Sequence, residues 1–123
     1  MQEDAKLLFE TSDPRGYSVT LSREQYFNHI LKSENHISHN EFSPEEIKEC
    51  IESPRVISQS EKIPSRDLYF SKTSARYPSL FLETVVDMDE ERKAGEVVTA
   101  YLTKKVNGGK EGGLRYVNIK SEL

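Results

Sequence analysis

Three histidines, His29, His36 and His39, fall within a single short stretch of a 123-residue chain that contains no others. Imidazole titrates near neutrality, so such a cluster suits proton transfer, one ring acting as base and another as acid. The same residues also fit as ordinary polar groups on a helix end and loop. His36-Ile37-Ser38-His39 has the i, i+3 spacing of a metal pair, with Glu41 close by as a third ligand. No HExxH pattern and no cysteine pair supports a zinc site, and neither metal nor other cofactor is expected. Cys50 occupies an apolar helix position and reads as a buried structural thiol. The second chemically informative stretch is Glu96 to Lys105. Under strict alternation Val98, Ala100 and Leu102 share one face, while Val97, Thr99, Tyr101, Thr103 and Lys105 line the other. Hydroxyls, a phenol and an amine are the donors a phosphodiester needs. They are also what the wet side of an antiparallel sheet commonly carries.

Helices early and strands late must position these groups. Gly16 to Leu21 alternates and is predicted as a short strand. Ser22 followed by Gln25 three residues on is a capping-box pattern. It opens a predicted helix from Arg23 to about Ser33 or Asn35, with Tyr26, Phe27, Ile30 and Leu31 on its apolar face. Ser43, Pro44, Glu45 and Glu46 form a second helix start, and Ile47, Cys50 and Ile51 make its apolar stripe. That helix should stop before Pro54. Strands are then predicted at Arg55–Ser58, Asp67–Ser71, Ser79–Met88 and Glu96–Lys105. A polar hairpin connection spans Asp89–Gly95, and an edge strand closes the chain from Leu114 to Lys120. The pattern predicts an α+β domain with two N-terminal helices packed on a mostly antiparallel sheet of four or five strands, one domain over residues 1–123.

Composition sets outer limits. With 35% hydrophobic and 31% charged residues, the chain reads as a globular domain with a heavily charged surface. No apolar run approaches the roughly 20 residues of a membrane span, so no membrane partner is expected. The acidic Met1-Gln2-Glu3-Asp4 start argues against a secretory signal, and a single cysteine excludes an internal disulfide. Both place the expected location in the cytoplasm. The formal net charge of −4 lacks the global signature of a nucleic-acid-binding protein. Charge is nonetheless uneven. Residues 83–91 hold five acids and no base, whereas Lys62 to Arg76 and Arg92 to Lys120 are basic enough to build a local phosphate-facing patch.

Several short pieces occur in a telling order: His29-Ile30, then His39-Asn40-Glu41, then Ile51-Glu52-Ser53-Pro54-Arg55-Val56-Ile57, then Tyr69-Phe70, Val85-Val86, and Thr99-Ala100-Tyr101. The set resembles the phage-associated barnase/EndoU/colicin/RelE-like (PBECR) nuclease domains. Those read approximately L-T-x-x-x-x-x-H-I, H-P-E, a helix ending x-x-P-x-x-I, strands, and a final V-x-T-A-Y strand. The match spans roughly residues 17–106. Asn40 stands where the family has proline, and the stretch after His29 is longer, so His36 or His39 occupies the second histidine position. The resemblance implies a barnase/RelE-like fold and metal-independent RNA cleavage, in which the ribose 2′-OH attacks its own phosphate. It implies His29 and His36 or His39 as base and acid, with Glu41 beside them. Thr99 and Tyr101 would hold the phosphate, and Arg76 or Lys105 would neutralise charge. RNA is then the partner, along with a protein inhibitor or a neighbouring phage protein. The alternative is a catalytically silent interaction or regulatory domain, favoured by the acidic pI and the missing proline. An exposed sheet edge near the glycine turn would suit its protein partner.

Overall fold

Ser18-Val19-Thr20-Leu21-Ser22 alternates polar and apolar side chains and forms strand β2 (Ser18–Ser22), with Val19 and Leu21 fully buried. The computed structural model describes residues 6–30, 43–72, 80–103 and 114–117. His36, His39, Glu41, Arg76, Lys105 and the glycine-rich stretch 108–113 lie outside the described residues. Ahead of β2 runs β1 (Leu7–Ser12), joined to it through a turn in which Gly16 takes a φ of +92°, a conformation that favours glycine. The other strands are β3 (Val56–Gln59), β4 (Arg66–Lys72), β5 (Phe81–Asp89), β6 (Ala94–Thr103) and β7 (Leu114–Val117). They form one seven-stranded sheet in the order β1-β2-β6-β5-β4-β3-β7. Neighbours pair antiparallel except β2 and β6, which are parallel.

This corrects the expected architecture. The molecule is α+β in the broad sense, but its sheet has seven strands, is mixed, and begins before the first helix. It is not the two-helix, four- or five-stranded barnase/RelE-like arrangement. β1 went unforeseen because only Phe9 of its six residues is buried, which leaves little alternation to read. The β2–β6 pairing joins segments far apart in the chain, and no local pattern reports it.

The first helix is not the regular α-helix predicted over its described residues. Ser22 caps α1 (Arg23–Gln25), its hydroxyl accepting from the Gln25 amide at 3.0 Å. The Gln25 side chain then donates to the Val98 carbonyl of β6 at 2.5 Å, instead of closing a capping box. After three residues the helix widens into a π-helical turn, Tyr26–Ile30, which sets both Tyr26 and Ile30 into the core. Phe27, expected on the buried face, is 43% exposed and stands edge-on to the Tyr26 ring. The second helix, α2 (Pro44–Glu52), follows its sequence signals closely. Ser43 and Glu46 form a reciprocal capping box, and Ile47, Cys50 and Ile51 are buried.

Both faces of the sheet are apolar. On the inner face α2 and the π turn cover Leu82, Val86, Met88, Val97, Ala100 and Leu102. The outer face carries a second cluster of Leu68, Phe70 and Val85, with Val56, Phe81, Val98 and Tyr101 packed against it. A β-bulge decides the membership of two valines. Val85 pairs with Thr99 but Val86 pairs with Val97, so Val98 is the extra residue. Val97 therefore joins Ala100 and Leu102 on the inner face and Val98 turns outward, the reverse of the strict alternation predicted.

Cys50 is 1% exposed, and its thiol donates to the Tyr69 carbonyl at 3.4 Å. Burial pushes the thiol up to about 11, only partly eased by the nearby Ser71 and Thr84 side chains. The folded value lies above the unfolded value of about 8.5, so the protein binds this proton more tightly when folded. Stability is fully present below about pH 8.5 and is lost as pH rises through about 11. Burial raises the phenols of Tyr69 and Tyr101 too, which adds to the loss. Urea midpoints should accordingly fall between pH 8 and pH 10.5. At pH 8 a thiol reagent should label Cys50 only in denaturant.

Candidate functional site

Thr99 and Tyr101 are two residues apart on β6 and face outward, each directly opposite a β5 residue of the same face: Thr99 against Val85, Tyr101 against Glu83. β4 extends the row, with Leu68 opposite Val85 and Phe70 opposite Glu83. Arg66, at the start of β4, lies two residues before Leu68 and on the same face. The connection from β3 to β4 folds back on itself. The Ser60 amide donates to the Arg66 carbonyl at 2.9 Å, the Arg66 amide donates to the Ile63 carbonyl at 2.9 Å, and the Ile63 amide donates to the Ser60 hydroxyl at 3.2 Å. This tight loop forms one wall of a cleft of about 410 Å3, with the sheet as its floor.

The cleft brings together two cations (Lys62, Arg66), two carboxylates (Glu61, Glu83), and the hydroxyls of Thr99 and Tyr101. The Tyr101 hydroxyl donates to Glu83 Oε2 at 2.7 Å, and Glu83 is only 2% exposed. Burial and the bond to Glu83 both hold the Tyr101 phenol well above its usual value, so it is a neutral donor at physiological pH. Polar groups at the bottom of an otherwise apolar face interact more strongly than they would in water. The arrangement can bind an oxyanion at Lys62, Arg66 and Thr99, and it can move a proton along the Tyr101–Glu83 pair.

The predicted site residues fall in different places. Thr99 and Tyr101 share this cleft. His29 is exposed on the π turn, whose buried residues Tyr26 and Ile30 belong to the inner-face core on the opposite side of the sheet. His36, His39, Glu41, Arg76 and Lys105 lie outside the described residues. Among the described residues no three His, Cys, Asp or Glu side chains are grouped to hold a metal ion, and no helix is long and apolar enough to cross a membrane. No family model, no curated protein and no solved structure matches the chain.

Glu83, Arg66 and Lys62 were not singled out from sequence as site residues. Lys62 and Arg66 do belong to the basic stretch read as a phosphate-facing patch. Glu83 carried a signal that went unused, a carboxylate set within the uncharged run of Phe81, Leu82, Thr84, Val85 and Val86. Charged residues are almost never fully buried without a partner, so an acid in such a run points to a paired site.

A second polar cluster sits on the inner face. Arg15 donates to Asp13 Oδ2 at 2.7 Å, to Asp67 Oδ2 at 3.0 Å and to the Tyr69 hydroxyl at 3.1 Å. Tyr69 donates to Asp13 Oδ2 at 2.6 Å, and Arg115 of β7 donates to Asp67 Oδ1 at 3.2 Å. These bonds tie the β1–β2 turn to β4 and to the far edge strand. The side chains satisfy one another, and the cluster reads as structural.

Proposed function

We propose that the chain is a metal-independent ribonuclease of the kind the PBECR resemblance implies, with the scissile phosphodiester lying in the outer-face cleft. The observation that carries this reading is the meeting of Thr99 and Tyr101 with Arg66, Lys62 and Glu83 in one cleft. Two cations and a hydroxyl provide the charge and hydrogen bonds a phosphoryl group needs as its oxygens gain negative charge. The reaction is attack of the ribose 2′-OH on its own phosphate, giving a 2′,3′-cyclic phosphate and a free 5′-OH.

Incubating the pure protein with total tRNA and ribosomal RNA in EDTA tests the reading. Discrete fragments ending in 2′,3′-cyclic phosphate are expected. Thr99→Val and Arg66→Gln should each lower the rate about 10-fold or more, as loss of one oxyanion contact does. Intact RNA with folded protein overturns the assignment. His29→Ala reads the histidine assignment separately: a loss of about 10²-fold keeps that imidazole in the reaction, and wild-type turnover removes it.

One observation favours the second reading, a protein-interaction domain. The edge strand β7 exposes Leu114 (58%) and Val117 (41%), and an edge strand is where a partner chain adds by backbone pairing.

A further inference from the structure

We propose that the outer-face cleft grips a single-stranded polynucleotide, ribose or deoxyribose alike, with Lys62 and Arg66 on its phosphates and Ile63 against an unstacked base. The inference shares its cleft with the ribonuclease reading but goes beyond it, because the grip needs no cleavage. Tyr101 and Glu83 are bonded to each other and take no part in it.

The cations of the cleft are uncompensated. Arg66 is half-buried, and its Nε is shielded from solvent without a hydrogen-bond partner. Among the described residues neither Arg66 nor Lys62 joins an ion pair, although Glu61 and Glu83 line the same cleft. Arg15 and Arg115, by contrast, both end on Asp67. A half-buried guanidinium left without an acceptor carries a desolvation cost, which an anion in the cleft relieves.

The loop that carries both cations is fixed before any ligand arrives. Residues 61–65 are all exposed, yet the backbone is tied on several sides. Besides the three bonds that fold it back on itself, the Gln59 side-chain amide donates to the Pro64 carbonyl at 2.9 Å. The Ser65 hydroxyl donates to Asp87 Oδ1 at 3.0 Å, and the Met88 amide donates to the Ser65 carbonyl at 2.8 Å. An exposed loop anchored to β5 in this way has little entropy left to lose on binding.

Two chemistries meet on that wall. Ile63 lies next to Lys62 and three residues before Arg66, and it is 41% exposed, so an apolar contact sits among the cations. Leu68 and Val85 continue it onto the floor. A single strand offers a phosphate and an unstacked base face at every residue, which matches both. A duplex keeps its base faces stacked inside. An acidic peptide supplies charge without the flat apolar face. Neither the cations nor the apolar residues distinguish ribose from deoxyribose. With a formal net charge of −4 the chain offers little long-range attraction, so the grip rests on contacts inside the cleft.

Single-stranded DNA is therefore the probe, since the absent 2′-OH makes it immune to the proposed cleavage. A fluorescent strand of about 10 nucleotides is titrated with the protein and followed by anisotropy at several salt concentrations. Saturable binding is expected, at least about 10-fold tighter than to the same strand annealed to its complement. Lys62→Gln and Arg66→Gln should each weaken it about 5–10-fold at about 50 mM salt and flatten the log–log salt slope by about 0.7. Ile63→Ser should weaken it about threefold with the slope unchanged, as loss of an apolar contact does. Glu61→Gln should tighten it, because it removes the exposed carboxylate of the wall. Melting curves establish that each variant is folded, and Lys62 and Ile63 are exposed enough to be replaced without disturbing the core. Equal affinity for strand and duplex, equal competition by polyglutamate, or wild-type affinity in Lys62→Gln overturns the inference. No binding of the strand by folded protein overturns it too, and RNA cleavage in EDTA would then still stand for the ribonuclease reading. Binding that follows these variants while RNA stays intact upholds the inference and overturns the ribonuclease reading alone.

Discussion

Asp67→Ala is expected to lower the unfolding free energy by about 3–5 kcal/mol, the usual consequence of removing one partner from a buried ion pair. The Asp67 side chain is 1% exposed and is the acceptor shared by Arg15 at 3.0 Å and Arg115 at 3.2 Å. Removing it leaves the Arg15 guanidinium, itself only 16% exposed, with a single carboxylate, Asp13. Burial alone weighs against a charged Arg15, and it is the bond to Asp13 with the fields of Tyr69, Asp13 and Asp67 that holds it charged. Alanine would also remove the bond that ties Arg115 of β7 to Asp67 of β4. Guanidinium unfolding at neutral pH, fitted with a common slope, measures the effect. Asp67→Asn, which retains hydrogen-bond acceptance, should cost less. A loss below about 1 kcal/mol for alanine would show that the network is solvated and contributes as little as a surface pair.

Gly95→Ala is the second large effect, expected to cost about 1–3 kcal/mol by overpacking. A Cβ at position 95 would lie 2.6 Å from Met88 Sδ, 2.7 Å from Val86 Cγ1 and 2.9 Å from the Asp87 carbonyl oxygen. Met88 can move, being flexible, but Val86 is fully buried and the carbonyl belongs to the backbone of β5. The ladder cannot widen there without loosening β2 as well, because Gly95 pairs with Val19 on one side and Met88 on the other. Thermal melts of the variant should show a lower midpoint with the sheet signature retained. An unchanged midpoint would mean that the strand ends adjust freely.

Gly95 also shows where local reading stops. In sequence it closes a polar run and looks like a turn glycine. In the folded chain it lies inside β6, and the left-handed turn residue is Lys93, at a φ of +54°. What makes glycine necessary is not a dihedral angle but the closeness of β5, which is a tertiary fact. The valines of β6 teach the same lesson. Alternation assigns faces correctly only until a bulge shifts the register, and the bulge at Val98 arises from the pairing with β5.

Local chemistry dictated a good part of this molecule. The Ser43 capping box and the stop at Pro54 delimit α2. The i, i+3, i+4 stripe of Ile47, Cys50 and Ile51 buries its face, and runs of β-branched and aromatic residues mark β3 to β6. Thr99 and Tyr101 were legible as an outward-facing pair because both lie beyond the bulge, where the two-residue period is intact. Tertiary contacts settled the rest. Helix α1 gives way to a π turn because the core takes Tyr26 and Ile30 together. β1 exists because β2 offers it an edge, and the sheet becomes mixed because β2 meets β6. Glu83 acquires its significance from the Tyr101 hydroxyl on the next strand, and Asp67 from arginines on two others. Caps and periodicities depend on neighbours within a turn or two of the chain. Pairing partners, bulges and buried charge networks depend on which distant segments arrive beside them, and that is written in no single stretch of residues.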